Sequence, residues 1–529
     1  MHSWNEGYHT DTNYSAGYFP QINPLYVKHL FTFKHQAFPT IDENFTGCEL
    51  GFGQGVSVVM HAAASPGKWY GTDFNPNQVN FAQKLAKYGS VAVNLSDDAF
   101  GDYANREDVP MLDYICVHGI WSWISHPNQQ SIVEFAKKKL KVGGVLYLSY
   151  NVGPGFTFFE PIRQVMYDYI KTCGVPAKTQ ESQVPGIIDL VDKLVSFKKG
   201  YGESALVKDR IDRILHNNGL THNYLCHEYL NDEWDISSHS IVAERLDQAK
   251  LSFVCQHPFY SNIENFVLKE EETKILDRFS GTEVYNGLKD YITGEQFRAD
   301  YFVRGSRRLN EKQYREELDK LCFILVADHE VDEITLDTRN GRAVLNPQNF
   351  QPVIEVMKDH RVYSFKELGD NIVNNKYRKF KNAEGNDYSQ QDLINTVIFL
   401  LCTNHIAPAV KENTISKDII KRCKNINRAV INTEAGAEVT YVVSPVTMCA
   451  FRIDDITRMV LALIMVRPDV NEQEVYQAFK PMIAEHDLKL FDKERKPITD
   501  PDEIDKTFKK NIHNIFTKTI PTYKKLFVI

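Results

Sequence analysis

Along the first 155 residues, short apolar runs alternate with segments whose apolar positions recur every three or four, as strands and helices alternate in an open α/β sheet. Gly47–Gly51 is predicted as the first strand, Val56–Ala64 as a helix of small residues, and Lys68–Asp73 as the second strand. Asn75 then caps a helix with Pro76 in its first turn; Val79, Ala82 and the pair Leu85/Ala86 face inward, and Gly89 ends it. Ser90–Leu95, Leu112–Val117 and Gly144–Tyr150 are expected as strands three to five. Between the last two, a helix starting at Pro127 carries Ile132, Phe135/Ala136 and Leu140 on one side.

Residues 160–218 show helical periodicity without a strand candidate, which predicts an insertion. Asn223–Leu230 and Leu251–Gln256, on either side of a helix over Ser238–Ala249, are expected to close the sheet. Further on, ITLDTRNGRAVL (334–345) predicts a hairpin turning at Asn340-Gly341, which among helices suits a winged-helix-like module. From about 386 the chain reads as mostly helical. The predicted organisation is a doubly wound α/β domain over 1–160 and 219–262, a helical insertion over 161–218, a middle domain over 263–385 and a mostly helical C-terminal domain over 386–529.

Composition narrows the class. At 529 residues the chain is too long for one ordinary core. Its net charge of −8 supplies no global basic field, so no nucleic-acid partner is expected, despite a local basic stretch at Arg304–Arg308. The nine cysteines are widely spaced and form no CxxC or CxH cluster, which points away from a disulfide framework or a metal site and toward a reducing compartment. The N-terminus lacks a basic start followed by an apolar run, and the longest apolar run, Val397 to Cys402, is short for a membrane span. A cytoplasmic location without membrane insertion is the expectation.

The chemistry concentrates in Cys48–Gly55, CELGFGQG. Strand one ends at Glu49-Leu50 and enters a loop, Gly51-Phe52-Gly53-Gln54-Gly55, where glycines let backbone approach a ligand and the next helix offers its free N–H groups. Glu49, just before the first glycine, suits a positive methionine amino group and would repel a pyrophosphate. Asp73, eighteen residues after Gly55, can take both hydroxyls of a ribose, chemistry shared by nicotinamide enzymes; its alternative is a helix cap beside Asn75. Glu49 with GxGxG, in place of GxGxxG, tilts the reading to S-adenosyl-L-methionine. After strand three, Asp98-Ala99-Phe100 is where an adenine would be clamped, by Phe100 stacking and by Asp98 or a backbone amide. Strand four runs into His118-Gly119-Ile120-Trp121-Ser122-Trp123 and strand five into Tyr150-Asn151. Taken as a set these form a site wall in which Tyr150 and Asn151 orient an amine and the indoles hold a cation; singly, a tryptophan there is core.

These pieces resemble the rickettsial protein lysine methyltransferases that act on outer membrane protein B, class I enzymes with a methyltransferase regulatory domain. The resemblance rests on Trp4…Gly7-Tyr8…Asp11…Tyr14…Tyr18 with Asn23-Pro24, on DYICVHGIWSWIS (113–125), on VGGVLYLSYNVGPG (142–155), and on HEYLNDEW (227–234) and FRADYFVRG (297–305). It covers about residues 1–310. It implies binding of S-adenosyl-L-methionine, released as S-adenosyl-L-homocysteine, through Glu49, Gly51, Gly53, Gly55, Asp73, the Ala99-Phe100 region and His118. Tyr8, Tyr14 and Tyr18 would form a lid, and the insertion would make a homodimer. Glu228, taken as the end of a late strand, would face a cavity for lysine-rich segments of a protein substrate; otherwise it is an exposed strand-end acid. Methyl transfer to lysine then needs alignment and desolvation more than a strong base. Rival readings are a small-molecule or nucleic-acid acceptor, a nicotinamide oxidoreductase, and a non-catalytic binding protein. No D/N-P-P-Y motif follows strand four, which disfavours base methylation.

Overall fold

Seven strands form one sheet in the order β3-β2-β1-β4-β5-β7-β6: β1 Thr46–Leu50, β2 Lys68–Thr72, β3 Val93–Ser96, β4 Leu112–Val117, β5 Leu140–Asn151, β6 Leu251–His257 and β7 Phe297–Arg304. The computed structural model describes residues 7–10, 14–175, 178–216, 221–327, 331, 333–376, 379–485, 490 and 498–529. Strands β1 to β5 pair in parallel, and β7 runs antiparallel between β5 and β6. Parallel strands covered on both faces read as continuous apolar runs, and alternation sorts their side chains. Tyr114, Cys116 and Tyr147 enter one core with helices α2 (Val56–Ala64) and α3 (Pro76–Gly89), which follow α1 (Pro24–Phe33). Ile115, Val117, Leu146 and Leu148 enter the other with α5 (His126–Lys139), past the short α4 (Phe100–Tyr103).

The expected strands one to five are present, as is the hairpin: β9 (Ile334–Thr338) pairs with β10 (Gly341–Leu345). Two expectations about this sheet fail. Asn223–Leu230 is no strand but helix α9, His222–Tyr229, after the insertion helices α6 (Glu160–Thr172), α7 (Gln180–Ser196) and α8 (Ala205–His216). Thr221 caps α9 by accepting from the Tyr224 N–H, and Leu225, Cys226 and Tyr229 fill the core of the insertion. Its apolar positions, Tyr224–Cys226 and Tyr229–Leu230, suit either period, and the cap decides. The missing closing strand is β7, outside the expected 219–262 span, after α10 (His239–Asp247), α11 (Glu264–Val267), α12 (Glu270–Leu276) and α13 (Glu283–Thr293). Arg298 and Asp300 disguise β7 in the sequence, because they are buried against each other inside the sheet at 2.8 Å.

Beyond the sheet, α14 (Glu311–Lys320) leads to a three-stranded sheet, β11-β8-β12, of Tyr363–Ser364, Cys322–Leu325 and Ile406–Ala409, with α15 (Pro347–Met357), α16 (Phe365–Ile372) and α17 (Gln390–Cys402). The β9-β10 hairpin is a separate sheet and not its wing. Strand β12 lies beyond the expected boundary at 385 yet pairs with β8 before it, so the middle and C-terminal segments share this sheet. The C-terminal helix α18 (Lys417–Ile431) lies on the back of the large sheet domain, where Ile426 meets Gly89 and Arg422 donates to the carbonyls of Ala63 and Ser65. Among the described residues no helix is long and apolar enough to cross a membrane.

Candidate functional site

A cavity of about 490 Å³ opens at the carboxyl ends of β1, β2 and β4, where ligands bind in open α/β sheets. Its floor is the glycine loop. Gly51, Gly53 and Gly55 all have positive φ, +69°, +56° and +70°. Gly53 lies on the cavity and its N–H donates to Asp73 Oδ2 at 2.8 Å. Gly55 does not line the cavity: a Cβ there would meet Ala82 Cβ at 2.4 Å, so this glycine is what lets α2 and α3 close on each other.

Asp73 is held as an acceptor. Besides Gly53, the Asn75 N–H donates to its Oδ1 at 3.1 Å. The Gln78 amide, with its nitrogen turned to Asp73, reaches both oxygens at 3.0 Å. Burial raises the Asp73 carboxyl to about 7, against the lowering effect of its two backbone donors. Glu49 is 2 % exposed, and its Oε2 has no protein partner among the described residues. Burial, then the neighbouring Asp73 charge, pushes Glu49 to about 8.

The opposite wall comes from the loop after β3 and the end of β4. Asp98, Ala99 and Phe100 line the cavity, as do Gly51, Phe52 and His118. The Asp98 carboxylate is engaged by Arg106 Nη1 at 2.7 Å, and its carbonyl accepts from Thr72 Oγ1, which fixes this loop. His118 Nδ1 lies 2.8 Å from the Tyr147 hydroxyl and 3.2 Å from Ser149 Oγ. Burial, then the nearby His257, lowers His118 to about 3, so its imidazole is neutral at physiological pH.

The N-terminal arm forms the roof, with Tyr8 and Tyr14 on the cavity. Tyr18 is not there: it points into the core, its hydroxyl 3.0 Å from His61 Nε2, and the next residue, Phe19, takes the place with its ring 3.9 Å from that of His118. Trp4 and Asp11 lie outside the described residues. Trp123 reaches the mouth, its indole N–H donating to the Glu228 carbonyl at 3.1 Å, whereas Trp121 is core. Tyr150 and Asn151 are not on the cavity. The Tyr150 hydroxyl donates to Asp300 Oδ2 at 2.7 Å, inside a buried network in which Arg298 pairs with both Asp300 and Asp290. Asn151 is buried at the junction where its backbone N–H donates to Ser122 Oγ.

Glu228 is neither exposed nor on a strand. It is buried on α9 behind the roof, 3.4 Å from the Tyr224 hydroxyl that donates to it. Burial raises it to about 7, with Arg210 opposing, and its charge contributes to the raised pKa of Tyr14. The neighbouring His227 ring sits 5.6 Å from Tyr8 and 5.1 Å from Tyr14. Phe19, Gln78 and Glu233 complete the cavity without having been singled out from the sequence. Gln78 was within reach of pattern reasoning, since it sits in the first turn of the helix that Asn75 caps.

The charge of the cavity decides what it can hold. Glu49, Asp73, Asp97, Asp98, Asp102 and Glu233 line it, and among the described residues no lysine or arginine does. Such a wall suits a sulfonium or ammonium group and repels a pyrophosphate.

The chain is similar over 97 % of its length to PKMT2 from Rickettsia typhi, whose structure was solved in complex with AdoHcy; the two share 17 % identity, with a TM-score of 0.66 over 99 % of that chain. This is the class I methyltransferase fold. Residues 221–304 match the family described as a predicted methyltransferase regulatory domain. In this fold they are not an appendage, because they supply β6 and β7 to the sheet. Among sequence relatives, protein sll1526 of Synechocystis sp. is 28 % identical over 463 residues, 87 % of this chain and 88 % of its own. Protein RP789 of Rickettsia prowazekii is 22 % identical over 77 % of this chain and 74 % of its own.

Proposed function

We propose that this chain is an S-adenosyl-L-methionine-dependent methyltransferase whose acceptor is a lysine side chain of a protein. The observation that carries the reading is the pair of buried acids, Glu49 and Asp73, in a cavity lined by no lysine or arginine among the described residues. Glu49, with a buried oxygen that has no partner among the described residues, fits the amino group of the methionine part; Asp73, whose oxygens accept from Gly53, Asn75 and Gln78, fits the ribose hydroxyls in place of the Gln78 amide. Gly51, Phe52 and Gly53 would form the floor, Ala99 and Phe100 the adenine wall, and His118 with Tyr8 and Tyr14 the remaining cover. When bound, the cofactor supplies a methyl group on a positive sulfur. The chain's own part is to exclude water and align the amine, and its neutral His118 adds no competing cation.

The lysine acceptor is supported by Trp123 and Glu233 at the mouth, an aromatic face and a carboxylate for an ammonium group. Glu228, behind Tyr14, is a positioning residue in this reading, and Trp121, Tyr150 and Asn151 are structural. The rickettsial likeness suggests outer-membrane protein segments as substrates. On the insertion, exposed Phe197, Tyr201 and Leu206 support its use as the contact with a second copy. Incubating the chain with methyl-labelled cofactor and lysine-rich outer-membrane protein fragments should place label on lysine nitrogen, read by mass spectrometry. Label on carboxyls, or on no protein at all, rejects the lysine acceptor. Absence of S-adenosyl-L-homocysteine binding in calorimetry rejects the cofactor as well.

A further inference from the structure

At the far edge of the sheet, a second and larger hollow of about 710 Å³ runs beside β6. Its floor includes Ser252, Phe253 and Val254, and β6 ends the sheet with no strand on its outer edge among the described residues. A strand edge presents unpaired N–H and C=O groups, and proteins commonly guard such edges with lysine, proline or a covering element. Strand β6, LSFVCQH, has no lysine, acid or proline. At one residue the edge is already satisfied from the side: Asn262 accepts from the Gln256 N–H at 2.9 Å and donates to its carbonyl at 2.6 Å, as a further strand would. Ser252, Phe253 and Val254 line the rest of the groove, where no further strand pairs with β6 among the described residues. Val254 is the extra residue of a bulge, with no counterpart across in β7.

The walls carry charge of one sign in excess. Glu244 and Asp247 stand on α10, and Glu264 and Glu283 on the side of α11 and α13. Glu244, Asp247 and Glu283 form no ion pair among the described residues. Among the described residues the lysines on the groove are Lys34 and Lys289, and the Lys289 ammonium already donates to the Ser261 carbonyl at 2.5 Å.

We propose that this groove docks an extended, lysine-bearing polypeptide segment, which adds to β6 as an eighth strand and sets its cationic side chains against Glu244, Asp247 and Glu283. Main-chain pairing supplies affinity for any extended chain, and the acids select basic ones. That the docked chain is the methylation substrate rests on the function proposed above; the groove itself does not.

The test uses the full chain and a fluorescein-labelled octapeptide of alternating valine and lysine, followed by anisotropy. The chain should bind the peptide, and Glu244→Lys with Glu283→Lys, both at exposed positions, should weaken binding at least tenfold while calorimetric binding of S-adenosyl-L-homocysteine stays unchanged. Methylating alternate backbone amides of the peptide should abolish binding, and hydrogen exchange should slow over residues 251–256 when the unmodified peptide is bound. No binding, binding that ignores the charge reversals or the amide methylation, or protection elsewhere would overturn the proposal. So would sedimentation showing that Glu283→Lys abolishes a dimer, since the edge would then serve a second copy. A chain that docks the peptide but takes no S-adenosyl-L-homocysteine loses the proposed function and keeps the groove.

Discussion

Two groups of buried carboxylates sit in one sheet and are treated in opposite ways. At the rim of β1 and β2, Glu49 and Asp73 have no cationic partner among the described residues, and burial lifts them to about 8 and 7. Between β5 and β7, burial alone would raise Asp300, yet the Arg298 charge and the His239 hydrogen bond hold it at about 2. Asp290, on the same arginine, rests at about 6 because burial there outweighs the pairing. Burial is common to both groups and so cannot mark function by itself. What marks the rim is the missing counter-charge beside an open cavity, whereas the inner group carries its own.

The largest test of that contrast is Arg298→Met, which strands Asp300 and Asp290 and should destabilise the apo chain by about 3–5 kcal/mol. A denaturant midpoint that stays put would show that the inner acids need no partner. Asp73→Ala should leave the fold intact and weaken S-adenosyl-L-homocysteine binding by roughly 1–3 kcal/mol in calorimetry, through hydroxyls left without an acceptor. Unchanged affinity would remove Asp73 from the rim's role. The smallest effect concerns pH. Because the folded pKa of Glu49 is raised from 4.5 to about 8, its contribution to apo stability is present below 4.5 and lost as pH rises through 8. The slope is at most about 1.4 kcal/mol per pH unit, and Glu49→Gln should flatten the fall in melting temperature between pH 6 and pH 8. Asp300 has the opposite sign: its stabilisation is present above 3.8 and lost as pH falls through 2. A wild-type apo melting temperature indifferent to pH over 6 to 8 would contradict the raised rim acids.

The rim was legible in the sequence because its chemistry is local. Glu49, the glycines and Asp73 lie at strand ends that apolar runs delimit, and each is separated from the next by one turn or one helix. The misplacements share another cause: a strand end tells where a residue is, but not which way its side chain points. Trp121 and Trp123 belong to one short 3-10 turn, Trp121–Trp123, yet one indole enters the core and the other the mouth. Tyr18 and Phe19 are adjacent in an extended arm, so only one can face the ligand cavity. The closing strand β7 escaped because it carries Arg298 and Asp300, and a buried ion pair is invisible until its partner is known. Asn223–Leu230 differs from its expected strand because eight residues with apolar positions at 224–226 and 229–230 suit both periods.

The placement of β7 has a consequence for how the chain must be made. Strand β5 emerges from the ribosome with its outer backbone edge unpaired, and the strand that covers it is not synthesised until the insertion and residues up to Arg304 have followed. During that interval the nascent edge is a template for pairing with any other extended chain. A truncated product ending before Phe297 should therefore precipitate rather than persist as a smaller folded unit, and the segment that matches the regulatory-domain family doubles as the seal on the N-terminal domain's own sheet.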